Sequence, residues 1–401
     1  MNKIYIVAAK RTPIGSFNGS LKTLSAAKLG SIAIHAAVEQ AHLSSEEIDE
    51  VIVGNVISAD QGMGIGRQAS LLSGIPETVP AYTLNMVCGS GMKTVMDAAS
   101  HIKADDAEIV VAAGAESMSQ IPFCVPAAIR NGQKMGSLTL KDLLVTDGLT
   151  DAFHHYHMGV TAENVVSKEG LTREQQDVFA LNSQKKAISA IEQGKFVSEI
   201  VPIEVVTHRA TTIVDTDEYP KSNTTIESLQ SLRPVFKLDG TVTAGNASGI
   251  NDCGSAIIVA SESAVEKYNL TPLAEIVSYA QAGVAPEIMG LGPVPAVLQA
   301  LSKAKLSLGD IDLFEFNEAF AGQALGVMSE LAKDTGVHVE DLSRRVNVNG
   351  GAIALGHPLG ASGNRILVTL IYEMLRSNAK YGLATLCVGG GMGTAVIIKH
   401  I

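Results

Sequence analysis

Short apolar runs and helical apolar spacings take turns along this chain. Continuous runs at residues 3–9 (KIYIVAA), 48–56 (IDEVIVGNV), 108–114 (EIVVAAG), 254–261 (GSAIIVAS), 274–282 (AEIVSYAQA) and 311–316 (IDLFEF) predict buried strands. A further strand is predicted at 346–349 (VNVN). A closing pair spans 381–398, joined by Gly389-Gly390-Gly391-Met392-Gly393. Between the strands, helices are predicted over 26–41, about 67–72, 294–304 and 362–375. The clearest pattern lies in residues 83–102, TLNMVCGSGMKTVMDAASHI. An apolar run at 84–87 reads as a strand end. Then Cys88-Gly89-Ser90-Gly91 precede Met92, Val95, Met96, Ala99 and Ile102, which share one helical face. Alternating strands and helices predict layered α/β architecture.

The two ends repeat each other. Leu43 through Asp49 leading into VIVGN matches Leu306 through Asp312 leading into LFEFNE. Gly89-Ser90-Gly91 before a helix matches Gly360-Ala361-Ser362-Gly363 before a helix, and EIVVAAGAESM matches LATLCVGGGMG. Three matches in one order predict a duplicated unit, its sheets back to back and its site where equivalent loops meet. Between the halves, Pro122, Pro126, Gly132 and Gly136 break the pattern. A helix over 172–193, capped by Thr172, is followed by short strands and a polar stretch at 207–231. The expected organisation is an N-terminal half at 1–118, completed by about 248–272, an inserted loop-rich domain at 119–247 that carries specificity, and a C-terminal half at 273–401.

Composition narrows the function. At 401 residues and 46% hydrophobic, the chain can build a large core, and scarce aromatics without Trp suit close α/β layers. A net charge of −11 with no long basic run argues against nucleic acid, yet allows an anionic small molecule in a local basic pocket. The four cysteines, Cys88, Cys124, Cys253 and Cys387, form no CxxC or zinc pattern, which fits free thiols in a reducing compartment. The start of the chain does not read as a signal peptide, and no stretch has membrane-span length, so a cytoplasmic protein is expected.

Cys88 sits at a helix N-terminus, where the dipole and free N–H groups are expected to lower a thiol's pKa. Gly89 and Gly91 let a substrate approach the backbone, and Gly89 is expected to loosen the backbone that presents an oxyanion donor. A small buried core cysteine is the competing reading. His357 lies in a glycine-rich apolar loop, GGAIALGHPLGASG. Cys387 precedes a glycine cluster whose N–H groups could line an anion site, and Asn317-Glu318 end a strand. Singly, each reads as a core histidine, a strand cysteine and a turn cap. Together, two thiols, an imidazole and an amide make a kit for acyl transfer through a thioester. His154 and His157 have metal-like spacing but lack evident acidic or Cys partners, so pocket lining is the preferred reading.

VCGSG at Cys88, NEAF at Asn317, GGAIALGHPLGASG at His357 and CVGGGMG at Cys387 resemble the four signature stretches of the thiolases, and the likeness extends over essentially the whole chain. It leans to the biosynthetic acetoacetyl-CoA thiolases, the acetyl-CoA C-acetyltransferases. The resemblance implies five layers, α-β-α-β-α, and a homotetramer built as a dimer of dimers. It implies that Cys88 is acylated while His357 takes its proton. Cys387 then removes the α-proton of a second acetyl-CoA, and Asn317 holds a water beside the enolate oxygen. The N–H groups of Cys88 and Gly389 would hold the tetrahedral oxyanion. Ser248 would contact the pantetheine arm. His157, Met158, Met289, Ala319 and Phe320 would line the acyl pocket, and Lys221 would lie near the CoA phosphates. Acetyl-CoA, acetoacetyl-CoA and CoA are the implied partners, with no further cofactor and no metal.

Four alternatives remain at this level. One is a degradative 3-ketoacyl-CoA thiolase of broader chain length. Another is a malonyl-decarboxylating condensing enzyme, against which Cys387 speaks. The third is an acyl-CoA carrier that never acylates Cys88. The last is a thiol switch pairing Cys88 with Cys387, which is compatible with catalysis.

Overall fold

The computed structural model describes residues 3–206 and 210–401. The predicted polar stretch 207–231 therefore begins, at 207–209, outside the described residues. The chain opens with β1 (Ile4–Arg11), α1 (Ala26–Ala41), β2 (Glu50–Gly54), α2 (Ile65–Leu72), β3 (Ala81–Leu84), α3 (Ser90–Lys103) and β4 (Ile109–Ser117). It then leaves the sheet for a long excursion containing α4 (Met158–Glu169), α5 (Arg173–Glu192) and two short two-stranded ribbons. Thr172 and Gln175 cap α5 reciprocally: Gln175 N donates to Thr172 Oγ1 at 3.2 Å, and Thr172 N to Gln175 Oε1 at 2.8 Å. The chain returns through β5 (Asn251–Ser261). The second half is β6 (Ala274–Gly283), α6 (Pro293–Ala304), β7 (Leu313–Phe316), α7 (Ala321–Thr335), α8 (Leu359–Ser377), β8 (Tyr381–Val388) and β9 (Met392–His400).

The strands run in the order β7-β8-β9-β6-β1-β5-β4-β2-β3, with Gly15–Ser16 paired to β5. The halves mirror each other. β2 lies parallel to β4 as β7 lies parallel to β8, and the strands nearer the join are antiparallel. They meet through only two residue pairs, Tyr5 with Glu275 and Ile6 with Ala274.

The half-sheets are not packed directly against one another, as the repeat suggested. Helices α3 and α8 lie between them. Met92, Val95, Ile366 and Leu370 fill one core with Val110 and Ile257 on one side and Leu386 and Val396 on the other. On the outer faces, α1 covers Val51, Val111 and Ile258, while α6 and α7 cover Phe314, Leu383 and Ile397. The result is five layers, α-β-α-β-α. Strand β4 is apolar from Ile109 to Ala115 because both faces are covered, with Val110 and Ala112 inward and Val111 and Ala113 outward.

Two expectations from the sequence fail locally. The apolar run 84–87 is not strand, because β3 ends at Leu84 and Val87 turns with φ 46°. Residues 346–349 form only one bridge, Val346 to Phe314, and Asn347 turns at φ 48°. The Asn347 side chain replaces the missing ladder. Its Oδ1 accepts from Phe316 N at 2.8 Å, and its Nδ2 donates to Phe316 O at 2.8 Å and to Glu318 Oε1 at 2.7 Å. Helix α8 also begins three residues early, at Leu359.

The central helices touch backbone to backbone. A Cβ on Gly91 would stand 2.7 Å from Gly360 O and 2.9 Å from Asn364 N. One on Gly363 would stand 2.5 Å from Met92 N, and one on Gly114 2.4 Å from Gly360 O. Gly91→Ala should therefore destabilise the protein by about 1–3 kcal/mol in denaturant unfolding. Gly309→Ala is the control, since its Cβ would meet only Ser307 Oγ at 3.6 Å. Equal stability of the two variants would refute this close approach.

Candidate active site

The glycine contact between α3 and α8 brings two helix N-termini together, and each carries a chemical group. Cys88 stands in a sharp turn before α3. The turn needs a left-handed residue, and a β-branched Val87 adopts it, a conformation that persists only where its surroundings over-determine it. Ser90 supplies part of that hold. Its Oγ donates to Val87 O at 2.6 Å and accepts from Met86 N at 2.9 Å. Asn85 Oδ1 accepts from Val87 N at 2.9 Å. Gly89 is not there for looseness: its φ is −77°, and a Cβ would lie 2.8 Å from Val388 Cγ2. The turn is thus pressed onto the loop after β8. Cys88 is half-buried, and the backbone N–H groups of Gly389 and Cys88 lie near enough to its sulfur to favour the charged form.

Burial pushes the Cys88 thiol up to about 11, the two N–H groups offset only part of this, and the charge of Glu116 adds to the rise. The expectation of a lowered value is thereby corrected. Desolvation of a thiolate outweighs one helix terminus. Cys387 is fully buried, and its thiol is raised further, by burial first and then by the neighbouring Cys88.

His357 precedes α8 and is buried. Its N–H donates to Asn251 Oδ1 at 3.0 Å, and its Nδ1 lies 2.6 Å from Ser362 Oγ. The Ser362 hydroxyl donates to Pro358 O at 2.8 Å, so Nδ1 carries the ring proton and Nε2 keeps its lone pair. Asn317 Nδ2 faces that nitrogen at 3.4 Å. Asn317 is placed by its own N–H, which donates to Thr385 O at 3.0 Å, two residues before Cys387. Burial lowers His357 to about 3, and Arg365 contributes. Both shifts favour the neutral form, a protonated thiol and an unprotonated imidazole.

A cavity of about 510 Å³ opens above these groups, lined by His157, Phe236, Ser248, Phe320, His357 and Leu359 among others. Leu359 packs in one cluster with Cys88, and Phe320 in another with Cys387, Met158, Met289 and Ala319. Of the predicted site residues, His157, Ser248, Phe320 and His357 line the cavity itself, while Cys88 packs with Leu359 and Cys387, Met158, Met289 and Ala319 pack with Phe320. Ser248 N donates to Ala319 O at 3.0 Å. His157 caps α4, its Nδ1 accepting from Gly159 N at 3.0 Å, and stacks on Phe236 at 4.5 Å. His154 instead bonds Asp151 Oδ2 at 3.0 Å. Lys221 lies outside the main cavity. It lines a neighbouring one of about 320 Å³, with its Nζ 5.1 Å from the Tyr219 ring, and Tyr219 borders both spaces.

Sequence reasoning passed over Ser362, Asn251 and Glu116, which orient these groups. Glu116 had a visible signal, an acid closing an apolar strand. Burial pushes its carboxyl up to about 7, against the pull of the N–H groups that bond it.

A half-buried and a buried thiol, an imidazole and a facing amide, set in a duplicated five-layer α/β fold, are the groups of an acyltransferase. The chain belongs to the thiolase family: residues 4–263 match the thiolase N-terminal domain and residues 270–400 the thiolase C-terminal domain. An acetyl-CoA acetyltransferase of Escherichia coli (strain K12) is 53% identical over 401 residues, covering 100% of both chains. The crystal structure of the Bacillus anthracis acetyl-CoA acetyltransferase matches with a TM-score of 0.95 at 42% identity, covering 100% of this chain and 99% of that one. Human mitochondrial 3-ketoacyl-CoA thiolase in complex with CoA matches with a TM-score of 0.93 at 46% identity, covering 100% and 98%.

The raised thiol has a direct consequence. Alkylation of free Cys88 by iodoacetamide, followed on its own peptide by mass spectrometry, should keep accelerating as pH rises toward about 11. A plateau reached by neutral pH would mean a stable thiolate and would contradict the neutral resting pair.

Proposed function

We propose that this protein is an acetyl-CoA C-acetyltransferase that condenses two acetyl-CoA molecules to acetoacetyl-CoA and CoA, reversibly. The convergence of two thiols on the imidazole–amide pair carries this reading. Acetyl-CoA enters the cavity, and His357 Nε2 accepts the Cys88 proton as the sulfur attacks the thioester carbonyl. The tetrahedral oxyanion lies between the Cys88 and Gly389 N–H groups. The C–S bond to CoA breaks, and CoA leaves as a thiol with the proton of Cys387, so that Cys387 is left as the thiolate that acts next and His357 keeps the Cys88 proton. A second acetyl-CoA binds, and Cys387 takes its α-proton. His357 and a water held by Asn317 stabilise the enolate oxygen, and the carbanion attacks the acetyl-Cys88 carbonyl. Collapse frees Cys88, which takes its proton back from His357, and releases acetoacetyl-CoA. Neutral thiols suit this cycle, since each sulfur gains and loses a proton within it.

The cavities support the binding assignments. Ser248 on the main cavity contacts the pantetheine arm, and Lys221 beyond Tyr219 approaches the CoA phosphates. Met158, Met289, Ala319 and Phe320 close the space around Cys387 and favour an acetyl group. The excursion at 119–247 acts as a specificity domain. Its exposed Phe123, Met135 and Leu140 suit burial between subunits of a homotetramer. Among the described residues no helix is long and apolar enough to cross a membrane, and a cytoplasmic location is our reading.

A 3-ketoacyl-CoA thiolase of broader chain length is the second reading, favoured by the largely apolar cavity of about 510 Å³. A series of 3-ketoacyl-CoA substrates separates the two: thiolysis should fall steeply beyond the four-carbon substrate, and equal rates with long chains would favour the second.

Incubation with acetyl-CoA should leave an acetyl group on Cys88, detected by mass spectrometry, and Cys88→Ala should show neither adduct nor turnover. Its absence from the native protein would reduce the chain to an acyl-CoA carrier. Cys387→Ala should still acetylate but lose condensation by about 10²–10⁴-fold; near-native condensation in that variant would remove Cys387 from the proton relay.

A further inference from the structure

Glu116 has no role in the steps above, yet it sits among their moving parts. It closes β4 and is fully buried. Its Oε2 accepts from Gly360 N at 2.8 Å and from Val56 N at 3.0 Å. Its Oε1 accepts from Asn55 Nδ2 at 3.0 Å and from Ile57 N at 3.3 Å. These partners span both halves of the fold, with Asn55 to Ile57 following β2 and Gly360 in the first turn of α8. That turn needs an outside acceptor. Its cap position is Pro358, whose side chain offers none. A side chain on Gly360 could not supply one either, because a Cβ there would lie 2.7 Å from Glu116 Oε2 and 2.8 Å from Asn55 Cα.

We propose that Glu116 is a positioning residue for acyl transfer, a carboxylate clamp that holds the N-terminus of α8, and with it His357 and Ser362, at a set distance from Cys88. The inference rests on the assignment of Cys88 as acyl acceptor and His357 as its base. All four partners are N–H donors, and only an ionised carboxylate accepts from all of them. An amide or a protonated acid would aim a donor at a donor. The same charge is felt at Cys88, where it disfavours the thiolate. The clamp therefore fixes the base, and its charge adds to the burial that keeps the thiol protonated.

The test uses Glu116→Gln and Glu116→Asp in the full chain, assayed at about pH 8.5, where the carboxylate is ionised. Glu116→Gln should lower kcat about 10–100-fold while KM stays within roughly three-fold. In the same variant, the pH midpoint of Cys88 alkylation should move down, so the nucleophile becomes more reactive while turnover slows. Glu116→Asp keeps the charge but is one methylene short. It should lower kcat with the alkylation midpoint unmoved. Wild-type turnover in Glu116→Gln overturns the clamp, and so does a slow Glu116→Gln whose alkylation midpoint is unchanged, because that variant removes the charge. If the Gln variant does not fold, Asp decides: slowed turnover at an unchanged midpoint supports the clamp, and wild-type turnover sinks it. A native protein that forms no acetyl-Cys88 overturns the acyl-transfer reading alone, because the alkylation midpoints still test the clamp.

Discussion

The close approach of two helix N-termini through glycine is the constraint on which the site depends. Gly91 on α3 and Gly363 on α8 each leave room for the other helix's backbone, and Gly114 on β4 admits Gly360 from above. Without side chains there, the helices approach more nearly than ordinary ridge-into-groove packing allows. The loops that enter them, bearing Cys88 and His357, are therefore forced toward the same point. Duplication explains why both halves have a glycine at this place: each helix meets its counterpart with the equivalent surface.

Burial sets the chemistry at that point. Desolvation is the largest influence on Cys88, Cys387 and His357, and in each case it favours the neutral form. A thiolate–imidazolium pair held in water-like surroundings would be reactive toward any electrophile. In the proposed acyl transfer a neutral pair ionises only as bond formation with a bound thioester proceeds, and the N–H groups of Gly389 and Cys88 are proposed to receive the charge that develops. Backbone and amide donors suit this task because they are fixed before the reaction begins.

The excursion between β4 and β5 must be anchored for its residues to wall the cavity. A buried arginine does much of this. Arg11 at the end of β1 donates through Nη1 and Nη2 to Asp217 at 2.7 and 2.9 Å, and through Nε to Glu199 Oε1 at 2.7 Å. Asp217 Oδ1 also accepts from Ile14 N at 2.8 Å. The planar fork fixes direction as well as distance, so Tyr219, two residues beyond Asp217, borders both cavities at a set place. The central strand β1 and the excursion are thus tied together through buried ion pairs.

The apolar periodicities of β1, α1, α3, β4 and β5 were legible along the chain because each buries a continuous stripe, and burial is what periodicity records. The glycine-flanked positions of Cys88, His357 and Cys387 were legible too, since close backbone approach excludes side chains wherever it occurs. What stayed hidden were contacts between segments remote in sequence. Residues 346–349 have strand-like composition, yet the Asn347 side chain satisfies the edge and no strand forms. A helix N-terminus argues for a low thiol pKa, yet the surrounding layers reverse the sign. Glu116 looks like a strand-end acid until Gly360, from the other half, arrives to bond it. Sequence by itself determined the layers, the duplication and the kinds of reactive group. Tertiary structure alone decided their protonation, orientation and orienting partners, because desolvation and hydrogen bonding depend on which distant segments close around a group.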